Sequence, residues 1–208
     1  IVEKGQNPDV LVMTATPIPR TLALILYGDL DISIIDELPP NRKKIDTFAV
    51  TKGMEERVNN FIKKQVDEGR QAYIVCPLVE ENEEMNLKSV TALAEKYKNE
   101  VFKDYRVEYL HGKMKNKEKD EIMERFKNGD IDILISTTVI EVGVNVPNAS
   151  LMVVENAERF GLAQLHQLRG RVGRGEYQSY CILKYQGNSD VIRKRMKVMT
   201  DTNDGFII

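Results

Sequence analysis

The sequence predicts an α/β protein whose mostly parallel central sheet lies between layers of helices. Apolar runs of four to six residues alternate with amphipathic stretches along most of the 208 residues, and this alternation is typical of repeated βαβ units. Polar residues follow three of these runs, at His111-Gly112, Ser136–Thr138 and Glu155-Asn156. Ligands of parallel sheets bind outside the carboxyl ends of the strands, so we expect functional residues at these ends.

The first part of the chain contains one strand, one helix and a linker. Val10–Thr16 is a short apolar run that ends at two prolines, and Thr21–Tyr27 is an apolar helix that Gly28 closes. The proline-rich segment Leu38–Arg42 is a turn or linker and marks the best internal boundary.

After this linker, strands and helices alternate. The predicted strands are Ile45–Val50, Tyr73–Cys76, Val107–Leu110, Ile131–Ile135, Leu151–Val154 and Tyr180–Leu183. The predicted helices run from Met54 to Val66, Leu87 to Val101, Asn116 to Phe126, Ala163 to Leu168 and Val191 to Met199. Asn116 is expected to cap its helix, and the acidic run Glu80–Glu84 is expected to be a solvated loop.

Composition excludes several classes of protein. The 30 basic and 32 acidic residues give a net charge of −2, so a nucleic-acid contact must be a local patch. Cys76 and Cys181 lie in apolar runs and are expected to be buried free thiols of a reducing compartment. His111 and His166 lack metal-ligand spacing. Without a long apolar stretch or a signal peptide, the expected location is the cytoplasm.

An arginine cluster between positions 164 and 175 is the strongest chemical feature. Arg171 and Arg174 are three residues apart, so on a helical turn they would share a face and reach one phosphate. Three glycines alternate with the arginines and would let the backbone approach a ligand or a facing domain: Gly170, Gly173 and Gly175. Arg169 receives no role. The alternative is a flexible basic tract, against which the flanking apolar residues argue.

A second segment, Ser136–Pro147, also predicts a phosphate contact. Three consecutive hydroxyl residues leave the strand, and their side chains and the following N–H groups can hold phosphate oxygens. Gly143 allows close approach, and Asn145 offers an amide to a sugar hydroxyl. An ordinary turn with capping hydroxyls is the alternative. The nearby arginine cluster favours the phosphate contact.

The sequence has neither a Gly-x-x-x-x-Gly-Lys-Ser/Thr loop nor an acidic metal-binding segment after a strand, because Asp36–Pro39 runs into prolines. A chain with phosphate-sensing arginines and no phosphate cradle cannot hold a magnesium nucleotide alone. We therefore expect the arginines to complete a site on another domain.

Four segments, in order, resemble motifs of superfamily 2 helicases. Thr14–Thr21 resembles motif III, Leu110–Met114 a segment on the DNA side, Ser136–Pro147 motif V, and Gln167–Arg174 motif VI. The chain thus resembles the second RecA-like domain of these helicases, and Tyr27–Pro40 favours those that act on branched DNA.

This resemblance implies a RecA-like, P-loop NTPase-type three-layer α/β/α fold that lacks its own P-loop. It implies that Arg171 and Arg174 are arginine fingers that reach the γ-phosphate. Further roles follow from the matched motifs: Gly143, Asn145 and Gln167 near the nucleotide; His111, Gly112, Thr137 and Thr138 on DNA; and Thr14, Ala15 and Thr16 in coupling. Many members of the superfamily have Asp at the position of Asn145.

The resemblance also implies a domain arrangement. Residues 1–38 would be the tail of a first RecA-like domain, 39–186 the second, and 187–208 a helix that leads into a translocation region. ATP and Mg²⁺ would be held mainly by the first domain, and the partners would be branched DNA and the upstream RecA-like and wedge domains. We expect the chain alone to be inactive, and Val10–Leu38 to pack on the domain surface or a neighbouring copy.

Three other functions remain open at this point. A transcription-repair coupling translocase shares motifs V and VI, although Tyr27–Pro40 fits it less well. An RNA helicase would differ in the nucleic acid that stimulates its ATPase. A non-enzymatic nucleic-acid binding module would need no upstream domain with a phosphate loop.

Overall fold

The computed structural model describes residues 11–13, 22, 31, 33, 43–78, 82–137 and 145–203. The chain divides into two compact units, Ile1–Ile35 and Asp36–Ile208. Apart from isolated positions, the predicted strand Val10–Thr16, the helix Thr21–Tyr27 and the linker lie outside the described residues. The packing of Val10–Leu38 and the assignment of residues 1–38 to a first domain stay predictions.

Six strands of the second unit form one parallel sheet, which confirms the predicted fold class. They are Asp46–Val50 (β1), Gln71–Cys76 (β2), Val107–Leu110 (β3), Ile133–Thr137 (β4), Ala149–Val154 (β5) and Tyr180–Lys184 (β6). The sheet order is β1-β6-β5-β2-β4-β3, and the neighbouring strands pair in parallel. β2, β4 and β5 are buried along their whole length, which explains why their sequences are continuous apolar runs.

Helices cover both faces of this sheet, so the three layers are confirmed. They are Glu55–Asp67 (α1), Glu83–Lys96 (α2), Asn116–Lys127 (α3), Leu162–Arg169 (α4) and Asp190–Asp201 (α5). α1 and α2 pack on one face through residues such as Ile62 and Val90. The other three helices pack on the opposite face, through Phe126, Leu165 and Met199.

The start of α2 differs from the prediction. The helix begins at Glu83 rather than Leu87, because the Asn82 side chain accepts a hydrogen bond of 3.0 Å from the Glu84 N–H. Glu83 and Glu84 lie in the first turn, where carboxylates complement the helix dipole. Part of the predicted acidic loop therefore forms the start of a helix.

The helical structure extends to Val101 as predicted, although α2 itself ends at Lys96 and continues as a π-helical turn, Tyr97–Val101. The predicted cap of α3 was wrong. Asn116 is the first residue of α3 and not its cap. Lys115 occupies the cap position and makes no side-chain capping bond.

Both cysteines are free and buried, as predicted. Cys76 ends β2 and Cys181 lies in β6. Burial raises the pKa of each thiol to about 12. Because the thiolate is the reactive form of cysteine, both side chains are chemically protected in the folded domain.

We expect neither thiol of the folded chain to react readily with Ellman's reagent at pH 8, since each is protonated and shielded from solvent. Unfolding in guanidinium chloride should release both groups, measured by absorbance as two thiols per chain. Fast reaction of Cys76 or Cys181 under native conditions would contradict the burial described above.

Candidate functional site

The predicted site residues divide between two opposite edges of the sheet. His111 directly follows β3 and Thr137 ends β4, so both lie at the carboxyl edge. Asn145 precedes β5, and Arg171 and Arg174 lie in the connection from α4 to β6, at the amino edge. A five-residue strand spans about 17 Å, so the chain presents two separate surfaces.

The two arginines lie in a loop and not on a helix, which corrects the prediction of a shared helical face. α4 ends at Arg169 and is followed by the segment 170–179, here called the arginine loop. Gly173 has a φ of +82°, a left-handed conformation that ends any helical continuation. The loop nevertheless places both arginines near Tyr73.

The electrostatics of the pair suit an anion. Burial, and then the positive charge of Arg174, lower the pKa of Arg171. Burial raises the pKa of Tyr73 to about 12, while the charges of Arg171 and Arg174 act in the opposite direction. The charge of Arg174 therefore acts on Arg171, and an oxyanion that binds both guanidinium groups would relieve their repulsion.

Two glycines of the loop serve packing within the domain. A Cβ at Gly175 would overlap the backbone carbonyl of Pro147, and a Cβ at Gly173 would lie 2.9 Å from the Ile45 Cγ1. These glycines therefore permit contact with the domain's own residues, whereas the sequence suggested a ligand or a facing domain. The Gly175 contact joins the arginine loop to the segment that carries Asn145.

The other predicted nucleotide residues lie on the same side of the sheet. Asn145 is exposed two residues before Pro147, and Gln167 is exposed in the last turn of α4. Gly143 lies outside the described residues. The fold therefore brings Asn145 and Gln167 to the edge of the sheet that carries the arginine pair.

At the carboxyl edge, His111 is oriented by its neighbours. Its ring stacks on Tyr109 with centroids 5.9 Å apart, and its Nδ1 accepts a hydrogen bond of 3.2 Å from the Lys113 N–H. Burial lowers the pKa of His111, so the imidazole is neutral at pH 7 and can donate through Nε2. Gly112 is exposed, with open space where a Cβ would be.

The hydroxyl residues of β4 are less accessible than the sequence suggested. Ser136 is only 1% exposed, so its hydroxyl is inside the domain, and Thr137 is 7% exposed. Thr138 lies outside the described residues, as do Thr14, Ala15 and Thr16. Of the three consecutive hydroxyl residues, Ser136 therefore has its side chain in the interior of the domain.

Arg169 has a structural role that sequence reasoning missed. Its side chain is 2% exposed, and its Nη1 donates to the Met199 carbonyl at 2.6 Å and to the Thr47 hydroxyl at 3.3 Å. Leu165, one helical turn earlier, is fully buried. This spacing of four residues on α4 was the sequence signal that Arg169 points inward.

Glu155 was predicted at a ligand-binding edge, but its carboxylate is engaged in a polar network. The Tyr97 hydroxyl donates to Glu155 Oε1 at 2.5 Å, and Lys184 Nζ donates to the same oxygen at 2.9 Å. Glu155 and Lys184 border a pocket of about 200 Å³ whose wall also contains Asn156. The network joins the π-helical turn to the carboxyl ends of β5 and β6.

The parallel sheet with helices on both faces and the arginine pair at its amino edge can be compared with known proteins. Residues 53–176 match the family model of the helicase conserved C-terminal domain. The match covers more than half of the chain, and the chain belongs to this family.

Relatives among curated proteins and solved structures confirm the resemblance to superfamily 2 helicases. The chain is 51% identical over 203 residues to the ATP-dependent DNA helicase RecG of Bacillus subtilis (strain 168), a match that covers 98% of this chain and 30% of that protein. It matches the structure of RecG bound to a three-way DNA junction with a TM-score of 0.79 and 47% identity, over 92% of this chain and 25% of the other. The chain spans less than a third of the length of the curated relatives it matches.

A more distant structure shares the fold. Domain 2 of the DEAD-box helicase Mss116p, bound to an RNA duplex, matches with a TM-score of 0.61 and 21% identity, over 77% of this chain and 62% of that one. This agreement supports the RecA-like architecture. Among the helices of the described residues, none is long and apolar enough to cross a membrane.

We expect Gly175→Ala to destabilise the chain by about 1–3 kcal/mol, because the added methyl group collides with the Pro147 backbone. Urea unfolding measures the effect. Gly53→Ala is the matched control, since its Cβ would meet open space, and should change stability by no more than about 0.5 kcal/mol. Equal stability of the two variants would show that Gly175 is not closely packed.

Proposed function

We propose that the chain is the second RecA-like motor domain of a RecG-type, ATP-dependent DNA helicase that remodels branched DNA. The observation that carries this proposal is the pairing of Arg171 and Arg174 at one edge of the sheet. The identity of about half the residues to RecG proteins supports it.

The nucleotide would bind between this domain and the first RecA-like domain of the same polypeptide. Because the chain has no phosphate loop, ATP and Mg²⁺ would be held mainly by that other domain. Arg171 and Arg174 would contact the γ-phosphate, and Asn145 and Gln167, at the same edge, would face the rest of the nucleotide. The like charges of the arginines fit this assignment.

DNA would bind at the carboxyl edge through its backbone phosphates. The Nε2–H of His111 can donate to a phosphate oxygen, and exposed Gly112 leaves room for close approach. Backbone N–H groups at Thr137 and Thr138 would add further contacts. Phosphate contacts carry no sequence information, so recognition would follow the shape of the DNA junction. An upstream wedge domain would separate the strands at that junction.

Coupling between the two surfaces has a direct covalent route. In the sequence, the segment 138–144 connects β4 to the residues before β5, so under this proposal it would link the two surfaces. Thr14, Ala15 and Thr16 would couple nucleotide state to DNA grip from the first domain. The two free cysteines fit a protein of the reducing cytoplasm.

In the full-length protein, Arg171→Ala should lower the kcat of DNA-stimulated ATP hydrolysis by about 10³–10⁵, while nucleotide binding largely survives. Steady-state ATPase and equilibrium nucleotide-binding measurements check both parts. Arg57→Ala, which removes an exposed arginine of α1, is the control and should keep the parental rate. Retention of most of the rate by Arg171→Ala would refute the finger assignment.

The isolated 208-residue chain should hydrolyse no ATP, because the phosphate loop lies on another domain. Its DNA binding should be weak and should decline steeply as salt rises, since it depends on phosphate contacts. A phosphate-release assay and fluorescence anisotropy over a salt series measure these properties. Steady turnover by the purified chain would refute the proposal of a shared site.

A further inference from the structure

We infer that Arg70 and Tyr177 form a clamp that positions the arginine loop, with Arg70 acting on the fingers through Tyr177. The guanidinium carbon of Arg70 lies 3.2 Å from the centroid of the Tyr177 ring. Tyr177 belongs to the arginine loop and follows Arg174 by three residues. The inference rests on the proposed role of Arg171 and Arg174 at the nucleotide.

Arg70 lies next to the start of a strand that is buried along its whole length. It immediately precedes β2, which lies inside the sheet between β5 and β4, and its own N–H donates to the Gln65 carbonyl at 2.9 Å. The backbone from which the Arg70 side chain extends is therefore held in place. The stack therefore ties a surface loop to the sheet.

Other contacts hold the remaining sides of the loop. Gly173 packs against Ile45, Gly175 lies against Pro147, and Gln178 Nε2 donates to the Lys44 carbonyl at 2.8 Å. Tyr177 is 51% exposed, so its ring is not packed into the core. The guanidinium of Arg70 covers one face of this ring and restrains the stretch between Gly175 and Gln178.

The chemistry of Arg70 points to the ring as its main partner. Its Nη2 donates to the Glu68 carbonyl at 3.4 Å, whereas its Nη1 is buried without a hydrogen-bond partner among the described residues. A planar guanidinium stacks on an aromatic face in a way that an ammonium group does not. Arginine and an aromatic ring are therefore both required for the clamp.

Loss of the clamp should affect turnover and not nucleotide affinity. Catalytic groups act only when they are accurately placed, and a shift of about 1 Å can cost about 10²-fold in rate. ATP itself would be held mainly by the first domain. We expect a loosened loop to reduce the kcat by about tenfold and to leave the KM for ATP unchanged within about twofold.

The test compares variants of the full-length helicase. Arg70→Ala, Tyr177→Leu and the double variant remove the stack, while Tyr177→Phe keeps the ring and Arg57→Ala is a surface control. The kcat and KM of DNA-stimulated ATP hydrolysis are measured together with the thermal midpoint. Arg70→Ala and Tyr177→Leu should lower the kcat to the same level, and the double variant should have a kcat no lower than either single variant. Tyr177→Phe should retain the parental kcat.

Several outcomes would overturn the clamp. These are a loss in Tyr177→Phe as large as in Tyr177→Leu, additive losses in the double variant, a raised KM with unchanged kcat, or parental rates throughout. If the Arg70 variant has a lowered midpoint, Tyr177→Leu and Tyr177→Phe decide the question alone. If Arg171→Ala is inactive while the clamp variants are fully active, only the clamp is refuted. If Arg171→Ala is itself fully active, the proposed function is refuted.

Discussion

The buried guanidinium of Arg169 determines where the arginine loop begins. Its hydrogen bonds to the Met199 carbonyl and the Thr47 hydroxyl join α4 to α5 and β1, and burial lowers its pKa. No carboxylate forms an ion pair with it in the part of the chain that the structure describes, so neutral polar groups solvate the charge. Any shift of α4 would break these bonds inside the domain, where an unpaired charge is costly. The end of the helix is thereby fixed, two residues before Arg171.

From this fixed point the loop is shaped by short-range contacts with the amino edge of the sheet. The contact between Gly175 and Pro147 leaves no free space, so a displacement of the chain around Asn145 must displace the arginine loop as well. The same segment of chain leads back to Thr137 at the opposite edge. Under the proposed function, this steric contact links the DNA surface to the arginines without requiring the sheet to deform, which agrees with the low compressibility of close-packed interiors.

The sequence predicted the sheet better than the loop, for physical reasons. Buried parallel strands need apolar side chains on both faces, so runs such as Gln71–Cys76 and Ala149–Val154 could be located within about two residues. The loop depends on contacts between residues distant in sequence, as between Gly173 and Ile45 or Arg70 and Tyr177. Local spacing alone therefore placed Arg171 and Arg174 on a helical face that does not exist. The same limitation hid the inward orientation of Arg169.

The different burial of the two arginines indicates unequal contributions to the proposed site. Arg171 is half-buried and its pKa is lowered first by burial, so part of its desolvation occurs when the domain folds. Binding of an anion to this guanidinium therefore costs less desolvation, and salt screens the interaction less. Arg174 is exposed, so solvent weakens its electrostatic interaction with an anion more than it weakens that of a buried charge at an equal distance. Under the proposed function, a site preorganised in this way would stabilise developing charge mainly through its buried member, so Arg171 would supply the larger share of the electrostatic stabilisation.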